Sequence, residues 1–179
     1  MKKQLSALVA VAAIYAPLAA HASDGTINFT GKLVSTTCTV TNGGATALNV
    51  PLPPTATTSV NPTGGDTAFS LNITGCTGPT TATTYFEAGG NISASGRLIN
   101  TAAATTPATG PANVELELLN GNGTTIALNA AYGSQNVTPA PITAGSAVAN
   151  FIVRYYHTDA TPVTAGDVLS SVTYSMVYL

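Results

Sequence analysis

Charge is what this sequence has least of: Asp, Glu, Lys and Arg make up 7% of its 179 residues. Past residue 22 only Lys32, Arg97 and Arg154 stand against seven acidic residues, so there is no basic patch for nucleic acid or anionic lipid. Tryptophan is absent. Histidine occurs only at His21 and His157, and no G-x-S-x-G, H-E-x-x-H or P-loop pattern is present. This inventory argues against an enzyme and offers no metal or cofactor set. Helix patterning is missing too, since no stretch carries three turns of amphipathic periodicity. A surface that is polar but weakly charged repels its own copies weakly, which suits dense self-packing.

The one long apolar run is LSALVAVAAIYAPLAA, preceded by Lys2 and Lys3 and followed by AHAS, with Ala20 and Ala22 in an A-x-A arrangement. That pattern predicts a signal peptide over residues 1–22, cut after Ala22. A membrane anchor is the alternative reading, for which the run is short and Pro17 poorly placed. Export carries Cys38 and Cys76, the only cysteines, into an oxidising compartment. An even pair there is expected to bond, contributing about 3.5–4 kcal/mol through loop closure. A redox pair or half a metal site would call for C-x-x-C or a nearby histidine, and neither is present.

Strand signals recur along the remaining chain. GTINFTGKLVSTTC alternates Ile27, Phe29, Gly31 and Leu33 with polar residues, an apolar face interrupted by glycine. Asn42–Asp66 is rich in turn residues and long enough to cross between sheets. TAFSLNITGC alternates up to Cys76, so the disulfide would tie the ends of two strands. TTYFEAGG is a shorter strand, and Asn100–Ala112 reads as an exposed loop. NVELELLNGNGTTIALN reads as a hairpin, with Val114, Leu116 and Leu118 on one face, NGNG as the turn, and Ile126 and Leu128 resuming the apolar face. GSAVANFIVRYYHT and GDVLSSVTYSMVYL predict two more long strands, the last alternating Tyr174, Met176 and Tyr178. About seven strands with Gly, Pro and Asn turns predict an all-β, immunoglobulin-like sandwich.

The polar residues have ordinary readings. Glu115 and Glu117 share a face, as the two carboxylates of a glycosidase must, but their alternation with apolar residues predicts a solvated strand face. His157, at a strand end, reads as a solvated surface residue. Tyr85, Tyr132 and Tyr156 keep open the alternative of a secreted carbohydrate-binding module, against which the missing tryptophan counts. An ordinary sandwich would pair its first and last strands as edges.

Taken together, GTINFTGKLVSTTC, the second cysteine after LNITGC, NVELELLNGNGTTI, FIVRYYHTDATPVTAG and the ending VTYSMVYL with penultimate Tyr178 resemble a type 1 fimbrial pilin of the chaperone/usher family. The resemblance implies an incomplete sandwich over 36–179 and an extension over 23–35 that donates a strand to a neighbouring subunit. Ile27, Phe29, Gly31 and Leu33 would then enter the neighbour's groove, with Gly31 over its shallow floor, a case of strand addition. The C-terminal strand with Tyr174, Met176 and Tyr178 would pair with a periplasmic chaperone until an outer-membrane usher exchanges it. The implied function is that of a structural fimbrial subunit at the cell surface, supporting adhesion. Its partners would be other pilins, chaperone and usher, with no cofactor, metal or nucleic acid.

Overall fold

Which segments form ladders follows from which alternating faces find a partner. The computed structural model describes residues 28, 30, 38–41, 47–102, 112–157 and 159–179. The unit that carries the ladders is Val34–Leu179. Its strands are β1 (Thr39–Val40), β2 (Thr63–Thr74), β3 (Thr81–Phe86), β4 (Leu98–Ile99), β5 (Val114–Asn120), β6 (Ala140–Pro141), β7 (Ala147–His157) and β8 (Tyr174–Tyr178). A three-residue 3-10 turn at Thr57–Ser59 is the helical content of the described residues. One sheet runs β1-β2-β7-β5-β4 and the other β6-β3-β8, every pairing antiparallel.

The core lies between the sheets because each long strand turns alternate apolar residues inward. Leu71 and Ile73 from β2, Leu116 and Leu118 from β5, and Phe151 and Val153 from β7 meet Ala82 and Phe86 from β3. Phe151, 1% exposed, stands 5.4 Å from Phe69 and 5.6 Å from Phe86, so one ring bridges the two sheets. The β2–β7 ladder slips between Gly64 and Thr67. Gly65 there takes φ of +70°, and a Cβ on it would sit 2.6 Å from the Tyr155 ring. Glycine therefore permits both the bulge and the ring packed on it.

Cys38 and Cys76 are bonded, with S–S at 2.06 Å. The bond sits where β1 meets the end of β2, beside the pairs Thr39↔Thr74 and Val40↔Ile73. Two buried amides fasten irregular segments to the ladders. Gln135 donates to the carbonyls of Phe86 and Leu128 and accepts from the Phe86 amide, acting as a one-residue strand partner at the end of β3. Asn120, 1% exposed, donates to Thr124 and Asn136 and accepts from the Thr138 amide.

Three expectations change. The chain between β1 and β2 does not cross to the other sheet, since both strands belong to the five-stranded one. The hairpin after β5 begins as read, with Ile126 donating to the Leu118 carbonyl. Its second arm then leaves the ladder after the Leu119↔Thr125 bridge, because Gln135 and Gly96 take its backbone bonds. The ladder of the last strand covers Tyr174–Tyr178, shorter than the alternation suggests, with single backbone bonds beyond it at Thr173 and Leu179. Of the expected loop Asn100–Ala112, residues 103–111 lie outside the described residues.

An open groove as the candidate functional site

Two segments behave as strands without a ladder. In 47–52, Leu48, Val50 and Leu52 are half-buried against the core while Ala47, Asn49 and Pro51 are exposed. From 168 to 173, Val168, Ser170 and Val172 turn inward and Leu169, Ser171 and Thr173 outward, continuing the alternation of β8. Period-two burial is the signature of extended chain on a sandwich. Neither segment belongs to a sheet among the described residues.

Between these segments lies a groove of about 860 Å³. Its floor is the inner face of the five-stranded sheet, with Phe69, Leu71, Leu116, Leu118 and Val153, and Tyr174 and Met176 stand in its wall. The backbone along the 168–173 wall is bonded on one side only. The Leu169 carbonyl accepts from Thr101, that of Thr173 from Glu87, and that of Ser171 from the Asn91 side chain. Among the described residues the backbone of Ser170 and Val172 takes no hydrogen bond, and the Ser170 hydroxyl is buried without a partner. An apolar floor flanked by unpaired backbone is the form of a sandwich with one strand missing.

Tyr174, Met176 and Tyr178, read from the sequence as one face, do share a face and pack against the core. They lie on β8, an edge strand whose ladder partner is β3, in the register Phe86↔Tyr174 to Ala82↔Tyr178. Burial pushes the Tyr178 phenol above its usual range, and the neighbouring Tyr174 adds to this. Ile27, Phe29, Gly31 and Leu33 lie outside the described residues; Asn28 and Thr30 between them are exposed.

The solvated reading of Glu117 is overturned. This residue is 4% exposed and bonded to Arg154, its cross-strand partner, at 2.7 and 2.8 Å. Arg97 approaches Glu117 at 3.5 Å and Glu115 at 3.6 Å, lies 3.5 Å over the Tyr156 ring, and leaves Glu115 half-buried. The two glutamates are held by arginines on the outer face of the sheet, which removes them from any acid–base pair. The sequence holds two arginines, and the fold brings both to this one carboxylate. The same arginine covers Tyr156, so that ring is no open platform, whereas Tyr132 remains exposed with its ring edge-on to Tyr85. His157 is also more covered than expected, its side chain 14% exposed with Nε2 3.2 Å from Asp159. Two hydrogen bonds from Thr161 hold the Asp159 carboxyl below the usual range.

The family model described as fimbrial protein matches residues 27–178. The chain belongs to the fimbrial protein family. It is 40% identical to the major fimbrial subunit SMF-1 of Stenotrophomonas maltophilia strain K279a, over 91% of this chain and 97% of the relative. It is 33% identical to the F17 fimbrial protein of Escherichia coli, over 98% of this chain and 99% of the relative. Among solved structures, a chain of a chaperone–usher pilus superposes with a TM-score of 0.58 at 12% identity, covering 88% of this chain and 96% of that one. The P pilus rod subunit PapA superposes with a TM-score of 0.52 at 12% identity, covering 79% and 99%. The fold is thus the immunoglobulin-like pilin sandwich. This fimbrial chain is a non-enzymatic structural subunit of an extracellular fimbrium, with pilin subunits as its partners.

Proposed function

We propose that the groove between 47–52 and 168–176 accepts residues 23–35 of a second copy, and that the fibre grows by repeating this donation. The observation that carries the reading is the pair of strand-like walls, each lacking a ladder, facing each other over an apolar floor. Ile27, Phe29 and Leu33 supply alternating apolar side chains of the right period. Their burial is worth about 5–9 kcal/mol at most, before main-chain bonds. Gly31 is the donor position that brings backbone close to the floor, where a side chain would lift the strand. Residues 1–22 direct export and are removed. Before assembly the open edge needs cover, and a periplasmic chaperone lending a strand along β8 meets that need, with an outer-membrane usher carrying out the exchange.

The test uses the exported chain carrying Gly31→Leu. It is expected to be secreted and disulfide-bonded, to bind an added peptide copying Gly25–Ser35 in its own groove, and to fail to polymerise. Overpacking of this kind costs about 1–3 kcal/mol. Mutant fibres of normal length and stability would overturn the donor assignment. So would a monomer damaged by the substitution that ignores the peptide, since that is how an edge strand of the chain's own sheet would behave.

A further inference from the structure

Met176 is the only methionine in the sequence besides Met1. It is half-buried, stands in the wall of the groove, and faces Thr84 across the β3–β8 ladder. Thr84 is 2% exposed, and its hydroxyl donates to the Met176 sulfur at 3.5 Å. A thioether is a weak acceptor, so a buried hydroxyl that depends on it is poorly satisfied. A sulfoxide oxygen on the same sulfur would be a much stronger acceptor for that hydroxyl. Oxidation here meets a donor already in place, and it puts a polar, chiral group beside Tyr174 and Val172 in the lining of the groove.

We infer that Met176 is a modification site for two-electron oxidants of the peroxide class, open while the groove is empty and shielded once a strand fills it. The thioether sulfur attacks the peroxide, a sulfur–oxygen bond forms as the oxygen–oxygen bond breaks, and water leaves. The sulfur is oxidised and the peroxide reduced. The inference rests on the donor-strand reading above and adds a condition to it: a subunit oxidised before assembly is a poor acceptor, while an assembled one is protected. Sulfoxide burial against an apolar occupant opposes strand entry, because the oxygen must either stay with Thr84 and displace the side chain or point into the groove unpaired.

The experiment treats the exported, unassembled chain with hydrogen peroxide, with and without a bound peptide copying Gly25–Ser35. It follows addition of one oxygen by mass and peptide affinity by fluorescence. Expected are faster oxidation of Met176 in the empty chain, peptide binding at least about tenfold weaker after oxidation, recovery with methionine sulfoxide reductase, and no effect of peroxide on Met176→Leu, a substitution cores tolerate. Equal oxidation rates with and without peptide, or unchanged affinity of the oxidised chain, would overturn the inference while leaving strand donation intact. Failure of the peptide to bind the unoxidised chain would remove the donor-strand reading and this inference with it.

Discussion

The two flanks of the sandwich differ in completeness. Across β2, β7 and β5 every alternation is matched by a ladder, and the inward residues Leu71, Phe151 and Leu118 are at most 3% exposed. Across the groove, Val50 and Val172 have the same period and the same chemistry, yet both stay half-buried beside backbone that bonds on one side or not at all. Apolar patterning alone therefore does not close a core; a hydrogen-bonded neighbour must be supplied as well. One flank supplies its own, and the other leaves the position open.

That contrast is breakable from the complete side first. Phe151→Ala removes the ring that bridges the sheets and is expected to destabilise the chain by about 3–5 kcal/mol, whether or not the groove is filled, as read by urea unfolding. Equal and large losses in empty and peptide-filled chains would confirm that this flank is finished without a partner. Glu117→Ala strands the Arg154 and Arg97 charges on the outer face. Because the arginines are partly solvated, the expected loss is about 2 kcal/mol, again independent of the peptide.

The open flank sharpens the comparison through conditional effects. Leu48→Ala is expected to cost under about 1 kcal/mol in the empty chain and about 1.5–3 kcal/mol once peptide is bound, because only then is the side chain fully enclosed. A loss that does not change with peptide would show the wall to be complete already. The smallest effect is alkaline. Burial raises the Tyr155 and Tyr178 phenols above 10.0, so the native state holds these protons more tightly than the unfolded chain. The stability they contribute is present below pH 10 and is lost as pH rises through their raised values. A bound peptide stabilises the native state by mass action and should move the alkaline midpoint upward, measurable by circular dichroism.

Legibility in the sequence followed the same division. β3, β5 and β7 could be read because each carries strand-forming residues with an inward face and finds its ladder partner within the chain. The wall at 47–52 was hidden inside a segment rich in Pro51, Pro53 and Pro54, residues that mark turns and cannot donate to a ladder. Its alternation of Leu48, Val50 and Leu52 was the available signal. The length of the last strand was overstated because period two persists through Val168–Tyr178 while the partner β3 stops at Phe86. Alternation assigns Glu117 a face but not what covers it, and here Arg154 of β7 and Arg97 from the turn ahead of β4 do. Gln135 and Asn120 carry no sequence signature, since their role is set by loops that return to the ladder from elsewhere.

The disulfide also decides how the chain carries load. A pull applied to residues ahead of Cys38 passes through the sulfur bridge to Cys76, at the far end of β2. Residues 39–75 then form a covalently closed loop outside the line of tension, and that loop contains the 47–52 wall. While that bond is intact, a pull from the N-terminal side cannot peel the loop open from its first residue.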